Sequence, residues 1–257
     1  MKMKALKTIL IISLAGCGEE QSIKVDLNDS CESNPITRNQ LLKLVNNYND
    51  SPSPITIRAV EKACVGRIEN FSSAFENSSF NGNLKEWDLS NAKNLSKMFK
   101  NAQKFEGKGL EHWNVSNVEN AYSMFTNASL FDGEISPWNT KSLVDASWMF
   151  SKTIVFNQPI GNWDTSQVRD MSSMFSFTHS FNQDLNWDTS SVFSFANMFF
   201  GSQKFNGDVS GFEVKQAADM SFMFSGAASF NQNIDHWNIE SVMDTRLYLN
   251  GSSMKNK

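Results

Sequence analysis

Three histidines and a set of carboxylates are the side chains with which this 257-residue chain could carry out acid–base chemistry. His112, His179 and His236 have no serine or cysteine arranged around them, and His112 and His236 each stand immediately before a tryptophan. Asp164 and Asp188 also hold matching places, directly after Trp163 and Trp187. Glycoside chemistry needs two acids a few ångströms apart in one cleft. Here Asp alternates with Asn at the same place (Asn114, Asn139, Asn238), which fits a turn or capping role better. An Asn or acid also follows a recurrent Phe, at Asn81, Glu106, Asp132, Asn157, Asn182, Asn206 and Asn231. One such group per repeat does not supply the converging carboxylates of a calcium site. In a stacked turn its side chain can instead satisfy backbone groups of a neighbouring coil through a ladder of buried hydrogen bonds. The expectation is a non-enzyme with no catalytic residue, no metal ligand and no cofactor.

The cysteines carry more specific chemistry. Lys2, Lys4 and Lys7 precede a short apolar run, "TILIISLA", followed by "LAGC" ending at Cys17. A run this short reads as a signal-peptide core rather than a membrane span. The small residues before Cys17 resemble the lipobox of bacterial lipoproteins, which implies that Cys17 becomes the lipidated first residue. Gly18 follows where an Asp would retain such a protein at an inner membrane, so the resemblance points to the outer membrane or cell surface. In an exported chain Cys31 and Cys64 read as a disulfide, the alternative being two buried free thiols. That bridge would close a loop of about 30 residues, worth roughly 3 kcal/mol in the chain-entropy model.

The formal charge of −4 falls to about −7 without the three N-terminal lysines, and no basic run occurs. This argues against nucleic acid as a partner. Phe is abundant (21) and Tyr scarce (3), the mark of a motif multiplying its own residues.

Trp87, Trp113, Trp138, Trp163, Trp187, Phe212 and Trp237 recur every 24 to 26 residues. Met-Phe pairs keep the same period from Met98-Phe99 to Met223-Phe224, as does a third series from Phe80 to Phe230. Three ladders with one period mark a repeat, and a unit this short must stack on its copies to bury a core. The stretch Val168, Met171, Met174, Phe175 places apolar residues three and four apart, predicting a short helix or a 3₁₀ turn. The remainder, as in "FNQPIGNW", reads as a short strand or extended turn with a polar bend. Length changes fall between the Phe and the Trp, so the bend should absorb them.

The motif "W-[DN]-T-S-x-V-x-x-M-S-x-M-F" resembles the repeat of the BspA-like leucine-rich-repeat surface proteins, the bacterial surface protein 26-residue repeat family. The resemblance covers Ile68 to Val242, about 70 per cent of the chain. It implies an α/β fold: a leucine-rich-repeat-like right-handed solenoid of about seven 25-residue repeats. Such a solenoid has a parallel sheet of short strands, with short helices or 3₁₀ turns, and here a small helical cap at its N-terminal end. It also implies binding or adhesion at a bacterial surface, without catalysis and without a stated ligand.

The expected organisation is therefore a lipoprotein signal peptide (1–16), a lipidated tether (17–36), a helical cap (37–67), the repeat solenoid (68–244) and a C-terminal tail (245–257). Thr37 before Gln40, and Ser53 before Pro54, signal two helix starts in the cap. The Trp ladder reads as core or edge packing. Tyr122, Trp148, Phe177, Phe193, Phe200 and Phe222 instead replace polar residues of other repeats, and either mark a partner surface or fold back between coils. The expected partners are the membrane, through the lipid, and a protein of a host or neighbouring cell, with no nucleic acid and no small-molecule substrate. A structural or carbohydrate-contacting envelope protein is the alternative.

Overall fold

The repeat is built from tandem turns. In its first copy the amides of Ala74, Glu76 and Ser78 donate to the carbonyls three residues back, of Phe71, Ser73 and Phe75, at 3.0–3.1 Å. The intervening amides of Ser73, Phe75 and Asn77 donate instead to Ser96, Met98 and Lys100 of the next coil, at 2.8–3.0 Å. Ser73 and Asn77 are left-handed, with φ of 57° and 62°. A four-residue turn whose third residue alone is left-handed is of type II, so the first and third of the overlapping turns in a coil, here 71–74 and 75–78, are of that type and the one between them is not, while alternate amides tie the coil to its neighbour. The same two left-handed places recur along the chain, for example at Ser173 and Phe177 (φ 55° and 56°).

The computed structural model describes residues 9–13, 22–26, 31, 34–246 and 248–254. Asn70, Asn94, Asn120, Asp145, Asp170, Ser194, Asp219 and Asp244 form one column of parallel bridges linking coil to coil. Each coil contributes a single residue to it.

This overturns the expected α/β, leucine-rich-repeat-like right-handed solenoid. Among the described residues the repeats hold no strand and no α-helix, only turns, bends, isolated bridges and one 3₁₀ turn at Leu110–His112. The two strands, β1 (Ile9–Ser13) and β2 (Ser22–Asp26), pair antiparallel outside the repeats. The physical reason is the pair of left-handed residues four apart. An α-helix cannot pass through them, and they bend the chain before a second extended residue could join the bridge. Apolar spacing of three and four is met equally well by consecutive turns, which bury Met171, Met174, Phe175 and Thr178.

The interior is three aromatic columns. The Trp series stacks at 6.0–6.4 Å between ring centroids, with Phe212 taking its place between Trp187 and Trp237. The Met-Phe phenylalanines stack at 5.0–5.8 Å, as from Phe75 to Phe99 and Phe125 to Phe150. Within a coil each of these meets the third series closely, Phe125 to Phe131 at 3.7 Å and Phe175 to Phe181 at 4.2 Å. Offset stacks of this kind add to the burial of large rings. The repeat with one extra residue accommodates it with left-handed Gly107 and Gly109 and the 3₁₀ turn at Leu110–His112. A Cβ on Gly109 would come within 2.4 Å of the Lys85 amide nitrogen, so only glycine fits.

Two helices close the N-terminal end, α1 (Arg38–Asp50) and α2 (Pro54–Glu61). Each starts with a reciprocal cap, Thr37 with Gln40 and Ser53 with Thr56. Leu41, Leu44, Val45 and Tyr48 of α1 are buried in the common core. Tyr48 meets Phe80 edge-on at 5.4 Å, its hydroxyl donates to the Ser79 carbonyl, and Arg38 donates to the Ser72 carbonyl at 2.7 Å. Cys31 and Cys64 form a disulfide beside this cap, with Cα atoms 5.1 Å apart. At the other end the carbonyls of Asp244, Arg246, Tyr248 and Asn250 accept from the coil before, so residues 244–246 and 248–254 lie as the turn half of one more coil.

Candidate binding surface

Each coil has two unlike halves. The turn half runs from just before the bridge residue to the third-series Phe; the bend half runs from there through the Trp to the following Val. Of the large apolar side chains exposed among the described residues, Leu130, Val144, Trp148, Ile154, Val155, Phe177, Phe193 and Met243 lie in turn halves. Only Ile239 lies in a bend half, and Ile55 belongs to α2. The bend halves of residues 81–242 carry thirteen carboxylates against four lysines. The molecule therefore has an apolar side and an acidic side.

Of the six aromatic residues singled out from sequence, Phe193 (60 %), Trp148 (41 %) and Phe177 (39 %) are exposed, while Tyr122, Phe200 and Phe222 are half-buried. The two readings of these residues divide along the chain. Phe177 meets Phe200 edge-on at 5.2 Å, and Phe200 meets Phe222 at 6.4 Å, a cluster across three coils. Tyr122 lies under the Lys97 ammonium, 5.6 Å from its ring centroid. Trp148, Phe177 and Phe222 all occupy left-handed positions, φ 56–61°. Other coils fill these places with Ser, Asn, Lys or Gly, and a bulky residue there costs about 1–2 kcal/mol. Sequence reasoning missed Leu130, Val144, Ile154, Val155 and Met243, which depart from the repeat as plainly as the aromatic residues do.

The tryptophan column is buried, each residue 2–8 % exposed, so its rings are not offered for stacking on a sugar. Five of these indoles donate to a carbonyl of the preceding coil, as Trp138 does to Leu110 at 2.8 Å, or, for Trp87, to Val60 of α2. The Asn ladder links coils through side-chain acceptors: the Asn182 amide donates to Asn157 Oδ1 at 2.9 Å and the Asn231 amide to Asn206 Oδ1 at 2.8 Å. These residues lie at the exposed edge rather than in the interior. Asp164 and Asp188 accept from the amides and hydroxyls of Ser166 and Ser190. The Ser190 hydroxyl and amide hold the Asp188 carboxyl below its usual range.

His112 approaches Glu111 at 3.4 Å, His236 binds the Ser210 carbonyl, and His179 is exposed; the three are not brought together. No cluster of three or more His, Cys, Asp or Glu able to hold a metal occurs among the described residues. No helix among them is long and apolar enough to cross a membrane. Cys17 lies outside the described residues.

The sequence pattern of a family described as Mycoplasma protein of unknown function, DUF285, matches residues 43–160 and again residues 145–257. The chain belongs to this family. The second match contains no part of the helical cap, so what the two matches share is the stacked coil. No curated protein matches the chain. No solved structure matches it.

Proposed function

We propose that this member of the family is a non-catalytic binding scaffold, held at a bacterial cell surface by lipid on Cys17, whose turn halves engage a protein partner. The observation that supports this reading is the gathering of exposed Leu, Ile, Val, Phe, Trp and Met side chains on one half of the coils. Scattered apolar residues are normal on any surface, but their confinement to one side is the pattern of an interaction site. The buried Trp column gives no support to the sugar-stacking alternative.

Protease added to intact cells, with a Cys17→Ser variant beside the parent, tests the display. The repeats are expected to be removed from the parent's cell surface, and the variant to lose membrane attachment. Full protection of the parent in intact cells would sink the adhesion reading.

A further inference from the structure

We infer that the partner of the turn-half surface is a protein segment in which acidic residues alternate with apolar ones. The inference rests on the binding reading above and concerns the chemistry of the ligand. Coil-to-coil hydrogen bonds fix which side chains are neighbours. Arg169 stands between Val144 and Phe193: its amide donates to the Val144 carbonyl at 2.9 Å, and the Phe193 amide donates to the Arg169 carbonyl at 2.8 Å. Lys152 precedes Ile154 and Val155 in one coil and holds the same left-handed place as Phe177 in the next. Lys204 holds the place of Val155 two coils further on.

Lys152, Arg169 and Lys204 are exposed and form no ion pair among the described residues. Carboxylates on this half are Glu69 and Glu76, paired with Lys93 and Lys100 at the cap end, Glu119, beside Val144, and the bridge residues Asp145, Asp170, Asp219 and Asp244. Each of these four aspartates is half-buried and accepts an amide two residues on, as Asp145 does from Ser147 and Asp170 from Ser172. Free cations set in the same rows as exposed apolar groups call for a ligand with anions at the matching spacing.

A second copy of this chain does not meet that description. Placed strip to strip, it would set Lys152, Arg169 and Lys204 against their own counterparts. Its acidic bend halves offer only Ile239 to the apolar groups.

The test pans a random 15-residue peptide library, displayed on phage, against the full chain in detergent. Enriched peptides are expected to interleave Asp or Glu with apolar residues. They should weaken roughly tenfold or more against Phe193→Ser and against Arg169→Glu, as hot-spot and buried-charge losses do. Arg169→Gln should weaken them less. Phe193 and Arg169 are exposed, as is Ile154, and unchanged thermal melting confirms that each variant is folded. Peptides that respond to Phe193→Ser but lack acids and ignore Arg169→Glu would overturn this inference while leaving the binding reading intact. Peptides indifferent to both Phe193→Ser and Ile154→Ser would overturn both. No enrichment, with or without Phe193-dependent binding to vesicles of phosphatidylcholine and phosphatidylglycerol, would also overturn it; vesicle binding would make the surface a membrane contact.

Discussion

The indole Nε1 of Trp138 donates to the carbonyl oxygen of Leu110 at 2.8 Å, and the same oxygen receives the backbone N–H of Trp113 at 3.1 Å. One acceptor thus closes a turn in its own coil and anchors the ring of the next. Five Trp residues of this column donate in this way, while Phe212 stacks equally well between Trp187 and Trp237 without a donor and the buried Trp237 indole finds no acceptor among the described residues.

Trp187→Phe should cost the hydrogen bond to the Ile160 carbonyl, about 0.5–1.5 kcal/mol, and a further loss for the volume the phenyl leaves unfilled. Trp187→Ala, which also empties a buried ring site, should cost about 3–5 kcal/mol. Urea unfolding of the two variants measures both losses. Equal losses would mean that the ring contributes nothing beyond its donor.

The Phe177 ring lies against Gly201 of the following coil, where an added Cβ would meet it at 2.7 Å. Gly201 is itself left-handed, with φ of 68°. Gly201→Ala should destabilise by about 1–2 kcal/mol from the backbone alone, and further from displacing Phe177. In a Gly201→Ala, Phe177→Ala double variant the second part should be recovered. Strict additivity in the cycle would show that ring and glycine do not interact.

The Cys31–Cys64 bridge spans 33 residues and holds the chain against the cap. Its removal by Cys31→Ser with Cys64→Ser should cost about 3–4 kcal/mol in the chain-entropy model. Hydrogen exchange should speed up first in α1, α2 and the coil beginning at Asn70, because coils far along the stack contact neither cysteine. Uniform acceleration through residues 219–254 would contradict this local picture.

Acid should weaken the fold in a definite window. The Ser190 hydroxyl and amide lower the Asp188 carboxyl, the Ser210 amide and hydroxyl lower Asp208, and the Arg246 side chain and amide lower Asp244. A carboxyl lowered in the folded state stabilises it while ionised. That contribution is whole above the unfolded value of about 4 and is lost as pH falls through the lower folded value. The melting temperature should be flat between about pH 5 and 7 and drop below about pH 4. Asp188→Asn keeps an Oδ1 acceptor, as Asn114 does at the same place, and should lose less on acidification. A larger acid loss in that variant would refute the assignment.

Much of this architecture was legible before any coordinates. The period of the Trp, Met-Phe and Phe ladders is the period of the hydrogen bonds between coils, and the bend did absorb the residue added near Gly107. What misled was reading Met171, Met174 and Phe175 as a helical stripe and "FNQPIGNW" as a strand. The correcting signal is the column Asn77, Asn101, Asn127, Gly201, Gly226 and Gly251, residue types that accept left-handed backbone. Lys152 and Phe177 interrupt that column and hide it. The apolar surface was half legible: the aromatic departures from the repeat were singled out, whereas Leu130, Ile154 and Val155, which fill places held mostly by polar residues in other coils, are aliphatic and were passed over.

Because each turn half is fastened only to the coils before and after it, no bond among the described residues spans several coils at once. Pulled from its ends, the stack should yield like a spool paying out one loop at a time. Each yielded coil of about 25 residues would release ~80–90 Å of chain. Force spectroscopy on the chain held at both ends would show that sawtooth, whereas a single large rupture would mean that the coils fail together. The segment enclosed by the disulfide would not lengthen at all, since the Cys31–Cys64 link closes that 33-residue loop. A stack held at one end and gripped along its flank would thereby gain length under load before it let go.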